Sequence, residues 1–109
     1  MPYIDTALKL EHVPVGESRC VQMGSVQVGL FRNPDGLFAI DNVCPHRGGP
    51  LHEGFVTDGT VACPWHQWQF HLDDGVCQNI PKVRTATFPL EIREGTIWVD
   101  LNSEGAEKS

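Results

Sequence analysis

An all-β fold of antiparallel sheets, in sandwich or barrel form, is what this 109-residue sequence predicts. Three observations carry that expectation. Strand-like runs recur at short intervals along the whole chain. Eleven glycines and eight prolines provide frequent turns. No stretch carries the i, i+3, i+4 apolar stripe of an amphipathic helix.

The expected strands are 7–10, 19–23, 26–32, 37–41, 60–63, 68–72, 87–93 and 96–101. In the third, Val26, Val28 and Leu30 alternate with Gln27 and Gly29, so the apolar trio shares one face. Asn33-Pro34-Asp35-Gly36 reads as a turn, with proline fixing φ and glycine accepting a positive φ, and makes a hairpin of 26–32 and 37–41. Glu94-Gly95 between Ile92 and Ile97 makes a second hairpin, and Asp73-Asp74-Gly75 a further turn. Residues 102–109 are polar and are expected to fray.

The length suits one domain with a modest core, for which a metal site is a common reinforcement. Hydrophobic residues make up 40% and charged residues 20%, as in a folded globular protein. The net charge of −6 argues against a nucleic-acid partner, which needs a basic face. It suits solubility, and also a basic redox partner. No apolar run approaches the roughly 20 residues of a membrane span. Met1-Pro2-Tyr3-Ile4-Asp5 shows no basic or apolar leader, so a cytoplasmic location is expected.

Residues 43–71 differ in composition, being rich in His, Pro, Gly and Trp. They read as an inserted unit carrying the chemistry, on a base formed by 1–42 and 72–101. Two strings stand out there. One is Cys44-Pro45-His46-Arg47-Gly48-Gly49-Pro50-Leu51; the other is Cys63-Pro64-Trp65-His66-Gln67-Trp68. As spacing this is C-x-H, sixteen intervening residues, then C-x-x-H. Without an export signal, cysteines point to metal before disulfides. Two thiolates and two imidazoles can hold either one zinc ion or one mixed-ligand [2Fe–2S] cluster. A Cys₂His₂ zinc finger pairs its cysteines in one C-x₂₋₄-C segment and its histidines on a helix. Neither feature is present, whereas two matched Cys/His loops suit a cluster with one Cys and one His from each.

These strings resemble those of the Rieske family, especially its soluble ferredoxins and the small subunits of assimilatory nitrite reductases, over about residues 7–101. The resemblance implies antiparallel sheets with two cluster loops at one tip. It implies that Cys44 and Cys63 hold the inner iron and that His46 and His66 hold the outer one. It also implies that Asn79-Ile80-Pro81 belongs to a third loop covering the cluster. High-potential relatives join an extra cysteine from each loop in a disulfide and aim hydroxyl groups at the cluster. Here Gly49 and Trp65 stand at the cysteine positions, and Trp68 and Phe70 at the hydroxyl positions. Fewer hydrogen bonds to sulfur favour the low end of the family's range of roughly −150 to +300 mV. Ring deprotonation of the outer histidines should lower the potential only at alkaline pH.

The remaining candidates have plainer expectations. Gly48-Gly49-Pro50 should let the first loop turn tightly and bring amides toward sulfur, and Pro45 and Pro64 should stiffen the loops. Trp68 and Phe70 should pack in the core, with Trp65 nearer the surface. His52 and His71 read as hydrogen-bonding or surface residues, and His12 as a loop residue. Cys20 and Cys77 read as small buried side chains. Arg47, His52 and Glu53 are candidates for a docking rim.

Functionally, the resemblance implies a ferredoxin that carries single electrons from a flavin-type reductase to a terminal oxygenase and does no catalysis alone. Its alternative is the small subunit that joins the large subunit of an NAD(P)H nitrite reductase. A non-redox zinc or interaction module is the reading from another class.

Overall fold

The computed structural model describes residues 3–45, 48–65 and 68–101. The elements are β1 (Tyr3–Lys9), a 3-10 turn (Leu10–His12), β2 (Ser18–Met23), β3 (Val26–Asn33) and β4 (Gly36–Asp41). A second 3-10 turn (Leu51–Glu53) precedes β5 (Phe55–Thr57), β6 (Thr60–Ala62) and β7 (Gln69–His71). The chain closes with β8 (Thr87–Phe88), β9 (Leu90–Arg93) and β10 (Thr96–Asp100). Three antiparallel sheets result, ordered β1-β10-β9, β2-β3-β4-β8 and β5-β6-β7. The all-β expectation therefore holds.

The β3–β4 hairpin closes where expected. Asn33 Oδ1 accepts the Asp35 and Gly36 amides at 2.8 and 3.1 Å, tying the turn to its own side chain. The Glu94-Gly95 turn joins β9 to β10, with both residues at positive φ (52° and 82°), as a two-residue hairpin between right-twisted strands requires. Other boundaries differ from expectation. β1 begins at Tyr3 rather than residue 7, because Tyr3 to Asp5 pair with β10. His12 falls in the first 3-10 turn, where its Nδ1 accepts the Lys9 amide at 2.9 Å. The expected strand 87–93 is two strands, split at Pro89, which has no amide to give a ladder. β5 escaped the sequence reading altogether.

The four-stranded sheet is buried on both faces. On one side Val28, Leu30 and Ala39 join Met23, Val13, Phe88, Ile97 and Val99 in a core against the β1-β10-β9 sheet. On the other, Phe31 and Ile40 join Leu51, Val61, Phe70, Leu72 and three cysteines (Cys44, Cys63 and Cys77). β3 keeps the expected alternation, with Val28 and Leu30 in the first core and Phe31 on the opposite face in the second, so the strand passes between two cores. Fully buried Phe31 and Phe70 each contribute about 3–5 kcal/mol, judged by the usual cost of truncating such a ring. Cys44 and Cys63 of the two Cys/His strings sit in the second core, so the same packing that holds the small sheet also sets their position.

Candidate metal centre

Each cysteine string folds into a loop closed in the same way. The Cys44 amide donates to the Gly49 carbonyl at 2.9 Å, and the Cys63 amide donates to the Trp68 carbonyl at 2.8 Å. Both closures join residues five apart, although the two strings differ in sequence. Along the chain one histidine lies within each closure; His46 and His66, with Arg47 and Gln67, lie outside the described residues.

The two loops touch. Gly49 lies so close to the second loop that a Cβ there would come 2.8 Å from Cys63 Sγ and 3.0 Å from Trp65 Cδ2. Gly49 and Trp65 are therefore neighbours, one from each loop. Cys44 and Cys63 are buried in a single core, as thiols rather than a disulfide. Two buried thiols in two apposed, matched loops, with glycine leaving room beside one sulfur, fit a group held by one cysteine from each loop. Among the described residues no three His, Cys, Asp or Glu side chains converge as a cage for a single ion. The Gly48 amide serves the loop itself, donating to the Cys44 carbonyl at 2.7 Å. That differs from the expected direction toward sulfur.

A third segment clasps the end of the second loop. The Gln69 amide donates to Asn79 Oδ1 at 2.9 Å, and the Gln78 amide donates back to the Gln69 carbonyl at 2.7 Å. The Cys77 amide donates to Val83, closing a loop that carries Ile80 and Pro81. Sequence reasoning singled out Asn79-Ile80-Pro81 but not Gln69. The only signal would have been a polar residue at a strand start facing another polar segment.

Several large apolar side chains are exposed on and beside these loops. Val43 and Ile80 are exposed, Trp65 is 63% exposed and Phe55 80%. Phe55 shares a surface notch with Cys63 and Pro64 on the outer face of β5-β6-β7. Phe70 is buried and Trp68 partly buried against the same core, as expected. His52 is hydrogen-bonded, as expected, and partly exposed, and Glu53 is exposed. His71 is half-buried on β7. Cys77 is buried as expected, but Cys20 is exposed, contrary to expectation. β2 is an edge strand, and Cys20, paired with Gly29 on the second-core face, lies at the open margin of that face. Partial burial still pushes the Cys20 thiol above its ordinary range. Burial likewise raises the Asp41 carboxyl, partly offset by the Val43 amide, which donates to its Oδ1 at 3.0 Å.

Residues 6–90 match the family model described as the Rieske [2Fe-2S] domain. The chain is 33% identical to the ferredoxin component of the alkene monooxygenase system of Xanthobacter autotrophicus, covering 77% of this chain and 70% of that one. It is 42% identical to cholesterol 7-desaturase of Drosophila melanogaster over 68% of this chain but spans only 18% of that enzyme's length. Across that desaturase, a chlorophyllide a oxygenase and a 4beta-methylsterol monooxygenase the chain spans 14% to 24% of their length. A solved structure described as a candidate NADH-dependent nitrite reductase small subunit from Mycobacterium tuberculosis superposes with TM-score 0.80 at 32% identity, covering 89% of this chain and 92% of that one. The ferredoxin of carbazole 1,9a-dioxygenase from Nocardioides aromaticivorans shares the fold, with TM-score 0.83 at 21% identity, over 92% and 98% of the two chains. Ferredoxin components and nitrite reductase small subunits are thus both among its relatives. No helix among the described residues is long and apolar enough to cross a membrane.

Proposed function

The chain belongs to the Rieske [2Fe–2S] domain family, and from that premise we propose that it is a one-electron carrier. Its donor would be a flavin-type reductase and its acceptor a terminal oxygenase, both in the cytoplasm. The observation that carries this reading is the pair of matched closures that bring Cys44 and Cys63 together, with Gly49 against the Cys63 sulfur.

Cys44 and Cys63 would hold the inner iron as thiolates, and His46 and His66 the outer iron through neutral imidazoles. When bound, the cluster supplies a one-electron couple at a potential raised by its two histidines. The chain's own residues set how that couple is used. The buried core around both cysteines keeps water from the sulfur side. Residues 43–71 act as the cluster-carrying unit, and the remainder as its base. The exposed side chains of Val43, Trp65 and Ile80 give an uncharged docking collar near the loops, while the acidic balance of −6 attracts a basic partner over distance.

The second reading, a nitrite reductase small subunit, is favoured by the 32% identity and near-complete mutual coverage with the mycobacterial structure. Anaerobic stopped-flow separates the two. A carrier is reduced within seconds by NADH and catalytic ferredoxin reductase, and elutes as a monomer. A small subunit instead co-purifies stably with a sirohaem-containing large subunit.

A further inference from the structure

The two cluster loops are closed alike but anchored differently. The second leaves β6 and re-enters β7, and those strands pair across its base through Ala62 and Gln69. The first leaves β4 and re-enters a 3-10 turn, with a single bridge, between Val43 and Pro50, among its described residues. One residue stands in for the missing ladder. Asn42 follows β4 directly and is completely buried, at 0% exposure.

Its polar groups are all engaged. Its amide donates to the Gln27 carbonyl at 2.8 Å, and its carbonyl accepts the Leu51 amide at 2.8 Å. Its side-chain Oδ1 accepts the His52 amide at 2.8 Å. That bond fixes the orientation of the carboxamide, because a backbone N–H can only donate. Nδ2 therefore donates to His52 Nδ1, 2.8 Å away, and also approaches Cys20 Sγ at 3.6 Å. The His52 ring is thereby held with its proton on Nε2, 3.9 Å from Glu53 Oε2. The Ser18 hydroxyl donates to the His52 carbonyl at 2.7 Å, so β2 holds the same residue from the other side. Room for the carboxamide comes from β3. A Cβ at Gly29 would lie 2.6 Å from Asn42 Oδ1, so this strand carries a glycine where strand propensity disfavours one.

We propose that Asn42 and His52 form the neck of the first cluster loop, a pair of positioning residues that fixes where Cys44 presents its sulfur. The proposal rests on the cluster reading above. Asn42 binds Leu51 and His52 on the far side of residues 43–50, and Cys44 lies two residues along from it. Without the carboxamide, the loop's two ends are joined by backbone alone, and buried groups on His52 lose their partners.

The test uses Asn42→Ala, His52→Ala and His52→Asn. In the last, a side-chain oxygen stands about where Nδ1 stood and restores the acceptor. Three quantities are read: hydrogen exchange of the His52 amide, the rate of cluster release, and the midpoint potential. Asn42→Ala should raise His52 amide exchange and cluster release by about ten-fold or more, as expected for losing buried hydrogen bonds. His52→Ala should shift the midpoint and speed release by a smaller factor, with an unchanged melting temperature before cluster loss. His52→Asn should return both toward wild type. His52 is partly exposed, so the His52 pair decides the matter if Asn42→Ala does not fold. Wild-type release and potential in both His52 variants, or in a folded Asn42→Ala, would overturn the proposal. If the wild-type protein holds no iron, the cluster reading fails instead, and His52 amide protection still reports the neck by itself.

Discussion

Replacing Gly49 by alanine probes the contact between the two loops. The new Cβ would sit 2.8 Å from Cys63 Sγ, 3.0 Å from Trp65 Cδ2 and 3.1 Å from Trp65 Cγ. All three separations are well inside ordinary carbon–sulfur and carbon–carbon contact. The Trp65 ring is 63% exposed and can swing outward at little cost. Cys63 cannot move so freely, being fully buried and, on the proposed ligand assignment, bonded to iron in the loaded protein. The clash therefore falls on the sulfur, and the expected cost is that of overpacking a core, about 1–3 kcal/mol. For a domain of this size each kcal/mol lowers the melting temperature by roughly 4–8 °C. The loss should be larger in the iron-loaded protein than in the iron-free one, where the thiol is at liberty to rotate. Scanning calorimetry of both forms, with cluster absorbance followed in parallel, measures this directly. Equal melting temperatures for wild type and Gly49→Ala in the loaded form would refute the reasoning.

The midpoint potential should lie below zero, since Trp68 and Phe70 bring no hydroxyl group to the sulfurs; redox titration giving a value well above about +100 mV, inside the family's upper range, would contradict this. Asp41 has a carboxyl pKa raised by burial above 3.8, so its contribution to stability is full below that value and is lost as pH rises through the raised one. Asp41→Asn keeps an oxygen for the Val43 amide and should be neutral or stabilising at pH 7, with a flatter melting profile across the acid range; marked destabilisation would count against it. Ala7 is a non-glycine residue at φ 66° in β1, so Ala7→Gly should stabilise by up to about 1 kcal/mol, relief of left-handed strain outweighing the added chain entropy. Denaturant unfolding midpoints check that sign.

The two Cys/His strings and the hairpins were legible because their signals are local. Asn33-Pro34-Asp35-Gly36 and Glu94-Gly95 carry their own turn chemistry, and the Cys/His spacing is readable without any knowledge of packing. What escaped depends on tertiary context. β5 is three residues long, and Phe55-Val56-Thr57 pairs only because Asp58 and Gly59 turn the chain at positive φ (48° and 79°) into β6. Cys20 was expected inside because cysteine is usually buried, but at the edge strand β2 the sheet face it shares with Gly29 is left uncovered. Phe31 was not assigned to a second core because a strand's alternation says nothing of a sheet packed on both faces. Asn42 carries no local signal in the sequence. Its role emerges only when Gly29, Leu51 and His52 are brought around it.

The most direct measurement is iron and acid-labile sulfide in anaerobically purified protein, alongside Cys63→Ala. Two irons and two sulfides per wild-type chain are predicted, with the native cluster absent from Cys63→Ala. A colourless wild-type protein holding zinc or no metal, or a Cys63→Ala variant with an unchanged cluster spectrum, would contradict the assignment.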